Sequence, residues 1–397
     1  MLRLKTTPFH PRTSALMQAN QWRRWGGYSV ASAYEMGHER EYLAIRNSAA
    51  LIDVSALYKY EIRGRDAGAF LDRLVTRNLS RLTVGGMLYT PWCDTRGKVV
   101  DDGTIVHLSE HRYRLTAADP NYHWLLENAV GMAVEIEDVS EQLGTLALQG
   151  PMAREILCRA FGESLRGLPF YGTSQMEWRG QPLMVSRTGY TGDLGYEVWV
   201  SAEQATDCWD HLMQVGSDYS LCAAGIWAMD VARIEAGLIM LDVDYTPAPK
   251  AVTPAQASTP FELGLGWAVH LQKPFFVGKK ALAREKAEGP ALQFVGLEID
   301  QVALARAYEE LGLPVQFPFV PWREMVPIFD EHEQVGYATC GCWSPTLKGY
   351  LALAQVRPTS ADKPLYIDFV IDRYRKRFAA AVRALPFFNP PRKRGDV

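Results

Sequence analysis

Two acidic positions in this 397-residue chain sit among neighbours unlike those of ordinary surface acids. Val99-Val100-Asp101-Asp102-Gly103 places adjacent carboxylates in an apolar run that reads as a strand. Side chains alternate along a strand, so the two must face opposite ways. One is then expected in solvent and the other in a cleft, where it could accept a proton or orient a basic nitrogen. A solvated Asp pair near a strand end has the same local pattern. The second segment runs from Arg187 to Glu197, Arg-Thr-Gly-Tyr-Thr-Gly-Asp-Leu-Gly-Tyr-Glu. Glycines at every third position let the backbone approach another group closely. A dinucleotide fingerprint would open a helix, whereas here Tyr196-Glu197-Val198-Trp199-Val200 reads as a strand. Glu197 points opposite to Tyr196 and Val198, and a carboxylate there could accept two parallel hydrogen bonds from an amino-pyrimidinone ring. An exposed Glu after a glycine-rich hairpin fits the same pattern.

These residues need elements to hold them. Leu57 to Ile62 alternates and ends at Gly64, a strand. Asp66 is placed to cap a helix whose Phe70, Leu71, Leu74 and Val75 recur at helical spacing. Asp94-Thr95-Arg96-Gly97 signals a turn. Lys98 to His107 is the strand that carries the Asp pair, and Trp124, Leu125, Ala129 and Val130 mark a second helix. Interleaved strands, helices and hairpins predict an α+β fold. Tyr245 to Pro260, rich in Pro and small residues, reads as an extended connection across a surface. After a helix begun at Gly278-Lys279-Lys280, the composition shifts near Glu285 to Pro290. The segments Val335–Ala338 and Tyr366–Ile371 then read as strands of a mostly β domain. The expected domains are residues 1–284 and 285–397.

Bulk composition narrows the function class. Lys plus Arg number 42 and Asp plus Glu 45, a net charge of −3. That balance supplies no global field for gripping nucleic acid or an anionic membrane. The start, Met-Leu-Arg-Leu-Lys-Thr-Thr-Pro, lacks the apolar stretch of a secretory signal, and no apolar run nears the ~20 residues of a membrane span. A cytoplasmic protein is expected, with six reduced cysteines. Cys340 and Cys342 resemble half a metal site, but no second pair follows. His107, His111 and His123 share no ligand spacing, so no metal is predicted. Arg373, Arg375 and Arg377 alternate on what reads as a solvated strand face. Arg392-Lys393-Arg394 reads as a frayed basic tail.

Eight segments in order carry a resemblance over nearly the whole chain. They are Asp53-Val54-Ser55, Asp101-Asp102, Leu148-Gln149-Gly150-Pro151, Thr188 to Gly192, Arg233-Ile234-Glu235-Ala236, Pro260 to Leu265, Phe276 to Leu282, and Ser344-Pro345-Thr346-Leu347. Together they resemble the folate-binding aminomethyltransferase family of the glycine cleavage T-protein, which also contains folate-dependent demethylases. The resemblance implies two intertwined ferredoxin-like α/β domains plus a C-terminal β-barrel domain, around a central channel for tetrahydrofolate. It implies that Asp102 is the essential carboxylate beside the N5/N10 region, and that Glu197 pairs with the pterin's amino-pyrimidinone edge. Tyr190, Tyr89 and Tyr171 correspond to aromatic residues of the folate pocket.

The chain departs from the T-protein pattern at Ala56-Leu57, at Leu115-Thr116-Ala117-Ala118 where an asparagine is expected, and at Trp227-Ala228-Met229-Asp230. The last replaces a Gly with an indole and an Arg with a thioether. Trp227 and Met229 would suit a methylated onium group or a methoxyaromatic ring, and would equally pack as core. The expected activity is transfer of a methyl or methylene group from such a small donor to N5 of tetrahydrofolate. The expected partners are this donor and the folate, with neither nucleic acid nor membrane. The alternatives are a glycine-cleavage aminomethyltransferase, which would also engage a lipoyl carrier protein, and a folate-binding protein without catalysis. A subunit of a flavin oxidase is disfavoured because no dinucleotide-binding segment is present.

Overall fold

A computed structural model describes residues 4–318 and 320–395. The chain divides into two compact units. The first comprises the residues up to Thr90, Asp101–Ala232 and those from Pro390 onward; the second comprises Pro91–Val100 and Arg233–Asn389.

Two sheets organise the site. One has five strands in the order Met87–Cys93, Val99–Ser109, Arg112–Ala117, Tyr58–Arg63, Glu135–Asp138. Its alternation separates two faces. Tyr60, Ile62, Ile105 and Leu115 are buried on the face covered by the helix Ala67–Leu74. The opposite face carries Lys59 across from Thr116, Glu61 across from Arg114, and Thr104 across from Thr116. The other sheet has six strands, Thr173–Trp178, Gln181–Ser186, Gly195–Ser201, Leu143–Gln149, Ala49–Asp53, Leu221–Ala223. Tyr196, Val198, Leu146, Leu148, Leu51, Leu183 and Val185 point from it into a core shared with Ile156, Leu157, Cys208, Trp209 and Leu212 of two helices. Glu197 and Trp199 therefore face the other way, toward the first sheet. Met184 and Trp199 meet Val106 and Leu108 there, and the Arg114 guanidinium lies 5.7 Å from the Trp199 ring centre.

The second unit holds a closed six-stranded barrel, Gln293–Ile299, Gly349–Val356, Gln334–Ser344, Val326–Phe329, Leu365–Ile371, Tyr374–Arg383. Val295, Leu297, Ile328, Ala352, Ala354 and Ile367 fill it. The α+β class and the C-terminal barrel expected from the sequence are both present. Among the described residues no helix is long and apolar enough to cross a membrane.

Several local expectations are corrected. Asp66 does precede its helix, but its carboxylate accepts the Ala133 N–H at 2.8 Å instead of capping it. The Pro-rich segment runs over the surface only in its middle, where Pro249, Lys250 and Val252 to Gln256 are exposed; its ends are not on the surface. Tyr245, Ala248 and Ala257 to Thr259 are buried, and the Val99 backbone pairs with Ser258 and Ala248. Arg373 sits in a hairpin turn at φ 74°, not in the strand, and Arg377 pairs with Asp368. The basic tail is not frayed, because Arg392 is tied down by Asp193.

Candidate functional site

Of the two adjacent acids, neither is simply solvated. Asp101 has no exposed surface and accepts three N–H donors: Asp102 at 2.7 Å, Asp119 at 2.9 Å and the Asn121 amide at 2.7 Å. Burial, then the charge of Asp102, push its pKa upward while the backbone donors pull it back. Asp101 thus fixes the turn after the Arg112–Ala117 strand. Asp102, Gly103 and Thr104 are the half-buried residues of an otherwise buried run. The Tyr89 hydroxyl donates to Asp102 Oδ2 at 2.8 Å. Burial, followed by Asp102, raises the Tyr89 pKa, so the phenol keeps its proton and remains the donor.

Glu197 breaks an equally regular pattern. From Thr191 to Val200 every residue is buried except this acid. Glu197 is thus the single partly exposed side chain in that run, on the face turned toward the first sheet. Burial raises its pKa to about 7, opposed by the Ser186 hydroxyl and by the positive charge of Lys59. The tyrosines link the two acids. Tyr171 and Tyr190 are near enough to Tyr89 to raise its pKa, and Glu197 acts likewise on Tyr171. Asp102, Tyr89, Tyr171, Tyr190 and Glu197 are therefore neighbours in the first unit.

The chain invests heavily in holding these groups. Tyr171 adopts a left-handed φ of 62°, which costs a non-glycine residue about 1 kcal/mol or more. Its backbone is clamped between Arg187 O at 3.0 Å and Met87 N at 2.9 Å. The Tyr190 loop wraps around the Gln149 amide, which donates to Thr188 O and Tyr196 O and accepts from Thr191 Oγ1 at 2.8 Å. A β-carbon at Gly189 or Gly195 would overlap that amide, so a side chain at either position would have to displace it from its hydrogen bonds. Behind the loop, Arg46 donates to Thr191 O at 3.0 Å and lies 3.3 Å from Asp193.

Trp227 and Met229 lie on the helix Ile226–Glu235. Two residues apart on a helix, they diverge by about 200° and do not form one wall. Trp227 is half-buried with its ring edge-on to His38 at 6.0 Å, and Met229 is buried.

A scan against family models matches the GCVT N-terminal domain over residues 9–273 and the glycine cleavage T-protein C-terminal barrel domain over residues 311–389. This chain belongs to the glycine cleavage T-protein family. The aminomethyltransferase of Caldanaerobacter subterraneus subsp. tengcongensis is 35% identical over 83% of each chain. That of Desulforamulus reducens is 33% identical over 98% of this chain and 99% of its own. The crystal structure of the glycine cleavage system aminomethyltransferase T from Bartonella henselae superposes with a TM-score of 0.83 at 25% identity, covering 98% of this chain and 99% of that one. As a T-protein family member, the chain is a folate-dependent transferase.

Three of the motif residues make buried polar contacts. Asp53 accepts Thr7 Oγ1 and Ser55 N. Arg233 and Asp244 form a wholly buried ion pair at 2.5 Å, and Glu235 accepts Ser344 Oγ at 2.5 Å. Reading the sequence overlooked Lys59 and Arg114. Both alternate with apolar residues, as solvent-facing residues of a half-buried strand would. Only the arrival of the second sheet turns that face inward.

Proposed function

We propose that the space between Asp102 and Glu197 receives tetrahydrofolate, and that the chain transfers a one-carbon unit to it in the manner of an aminomethyltransferase. The observation that carries this is the pair of partly exposed acids, Asp102 and Glu197, on largely buried strands, with Tyr89 and Tyr171 close enough to interact electrostatically with one or the other, and Tyr190 with Tyr89. The residues suit the cofactor: a flat, donor-rich heterocycle needs aromatic flanks and an acceptor at its edge. Glu197 would accept the paired N–H groups of the amino-pyrimidinone, and Tyr190 and Tyr171 would bound the ring. When bound, tetrahydrofolate supplies the N5 and N10 nitrogens that receive the carbon. Asp102, with Tyr89 donating to it, would hold or accept a proton at that end.

The donor is proposed from the relatives. Those named above are aminomethyltransferases, which favours an aminomethyl group on a lipoyl carrier protein over the methylated onium or methoxyaromatic donor suggested by Trp227 and Met229. The small-donor reading keeps one observation in its support, the accessible Trp227 indole where a glycine is expected. The deciding experiment supplies tetrahydrofolate with aminomethyl-lipoyl carrier protein and measures ammonia release. In parallel, methylated onium compounds and methoxyaromatics are screened for 5-methyltetrahydrofolate by mass. Ammonia release supports aminomethyl transfer; methylated folate from a small donor replaces that reading.

A further inference from the structure

The strand Arg112–Ala117 carries a hydroxyl that the fold does not use. Thr116 is only 5% exposed, and its Oγ1 has no hydrogen-bond partner among the described residues. A hydroxyl buried in this way lowers stability relative to an apolar group of the same shape. Thr116 also lies in Leu115–Ala118, a run in which the chain departs from the T-protein pattern, and it is the one hydrogen-bonding side chain there.

Strand alternation fixes where this side chain points. Leu115 and Ala117 are buried on the face covered by the helix Ala67–Leu74, so Arg114 and Thr116 belong to the opposite face. Arg114 reaches the Trp199 ring there, so that face is turned toward the six-stranded sheet. The register partner of Thr116 is Thr104. Along the Thr104 strand the same face reads Asp102, Thr104, Val106, Leu108. The last two are buried against Met184 and Trp199, whereas Asp102 and Thr104 are half-buried. The sheets thus meet at Val106 and Leu108, and Thr116 borders the partly exposed end of that face, beside Thr104 and next to Asp102.

The donors available at this end are few. Ionised Asp102 and Glu197 only accept, and the Tyr89 hydroxyl already donates to Asp102. An amino-pyrimidinone ring presents a carbonyl oxygen and a bare ring nitrogen besides its N–H groups. Those two atoms need a donor, which neither carboxylate can supply. We propose that Thr116 is a ligand-binding residue whose hydroxyl donates to an acceptor on the ring of the reduced pterin. This rests on the folate reading above and adds to it the recognition of the ring's acceptor atoms.

The test is tetrahydrofolate binding by the full chain, with ligand-free thermal unfolding measured alongside. Thr116→Val keeps the branched shape that suits a strand and removes only the hydroxyl. Its thermal midpoint should equal or exceed that of wild type, because no bond within the fold is lost. It should bind tetrahydrofolate about five- to tenfold more weakly, with KM raised and kcat at saturating folate little changed. Thr116→Ser keeps the donor and should bind as wild type does. Thr145 is the matched control: its hydroxyl is equally buried and without a partner, but it stands across from the buried Trp199, where the sheets are in contact. Thr145→Val should leave binding unchanged. Undiminished binding by Thr116→Val, or an equal loss in Thr145→Val, overturns the proposal. So does a Thr116→Val that is less stable than wild type or does not fold, since the hydroxyl would then serve the fold. Absence of tetrahydrofolate binding by wild type would instead remove the folate reading itself.

Discussion

Arg392 grips Asp193 with two parallel hydrogen bonds, Nε to Oδ1 at 2.6 Å and Nη2 to Oδ2 at 2.9 Å. The Asp193 carboxylate is wholly buried and lies on the loop that carries Tyr190, so a residue near the chain's end braces the candidate site. Arg187 adds a bond to Gly395 O at 2.7 Å, and Arg394 lies over Phe170, the residue before Tyr171. Arg392→Ala should destabilise the protein by about 1–3 kcal/mol, because Arg46 still partly compensates Asp193. Urea unfolding would measure this. Folate KM should rise more than kcat falls, since the loop is loosened while Asp102 is untouched.

Asp102→Asn keeps the shape of the side chain and removes its charge. Turnover with tetrahydrofolate should fall by about 10²–10⁴, the usual worth of a positioned proton acceptor. The thermal midpoint should hardly change, because Asp101 carries the structural bonds of this pair. Unchanged turnover would remove Asp102 from the chemistry.

Glu197→Gln makes a pH-dependent stability prediction. The folded pKa, about 7, lies above the usual 4.5. Stability associated with this group is full below the ordinary carboxylate range and is lost as pH rises through about 7. The ligand-free Gln variant should therefore match wild type near pH 4.5 and exceed it increasingly at higher pH. Above pH 8 the difference should be on the order of 3 kcal/mol, the size of the upward shift from 4.5 to about 7. Unfolding curves at several pH values would check the sign; a variant no more stable than wild type at pH 8 refutes the assignment.

Gly189→Ala places a methyl group on the Gln149 amide. Overpacking of this kind costs about 1–3 kcal/mol. Because the displaced amide pins both Thr188 and Thr191, folate affinity should drop as well. Gly167→Ala, at a position where a β-carbon meets nothing within 4 Å, is the control and should leave both unchanged.

The amino-acid sequence alone determined the local elements, the α+β class, the β-rich C-terminal region and the two carboxylates that interrupt apolar runs. Periodicity carries that information, because burial on one face repeats every two residues in a strand and every three or four in a helix. Tertiary structure decided what each face meets. Lys59 and Arg114 have the spacing of solvent-facing residues, and only the packing of the second sheet encloses them. Asp101 and Asp102 are chemically identical neighbours; the Asn121 turn takes one and Tyr89 the other. The basic residues near the chain's end read as frayed because their partner, Asp193, is 199 positions away. Periodicity reports local burial, whereas charge compensation is settled between segments that the fold alone brings together.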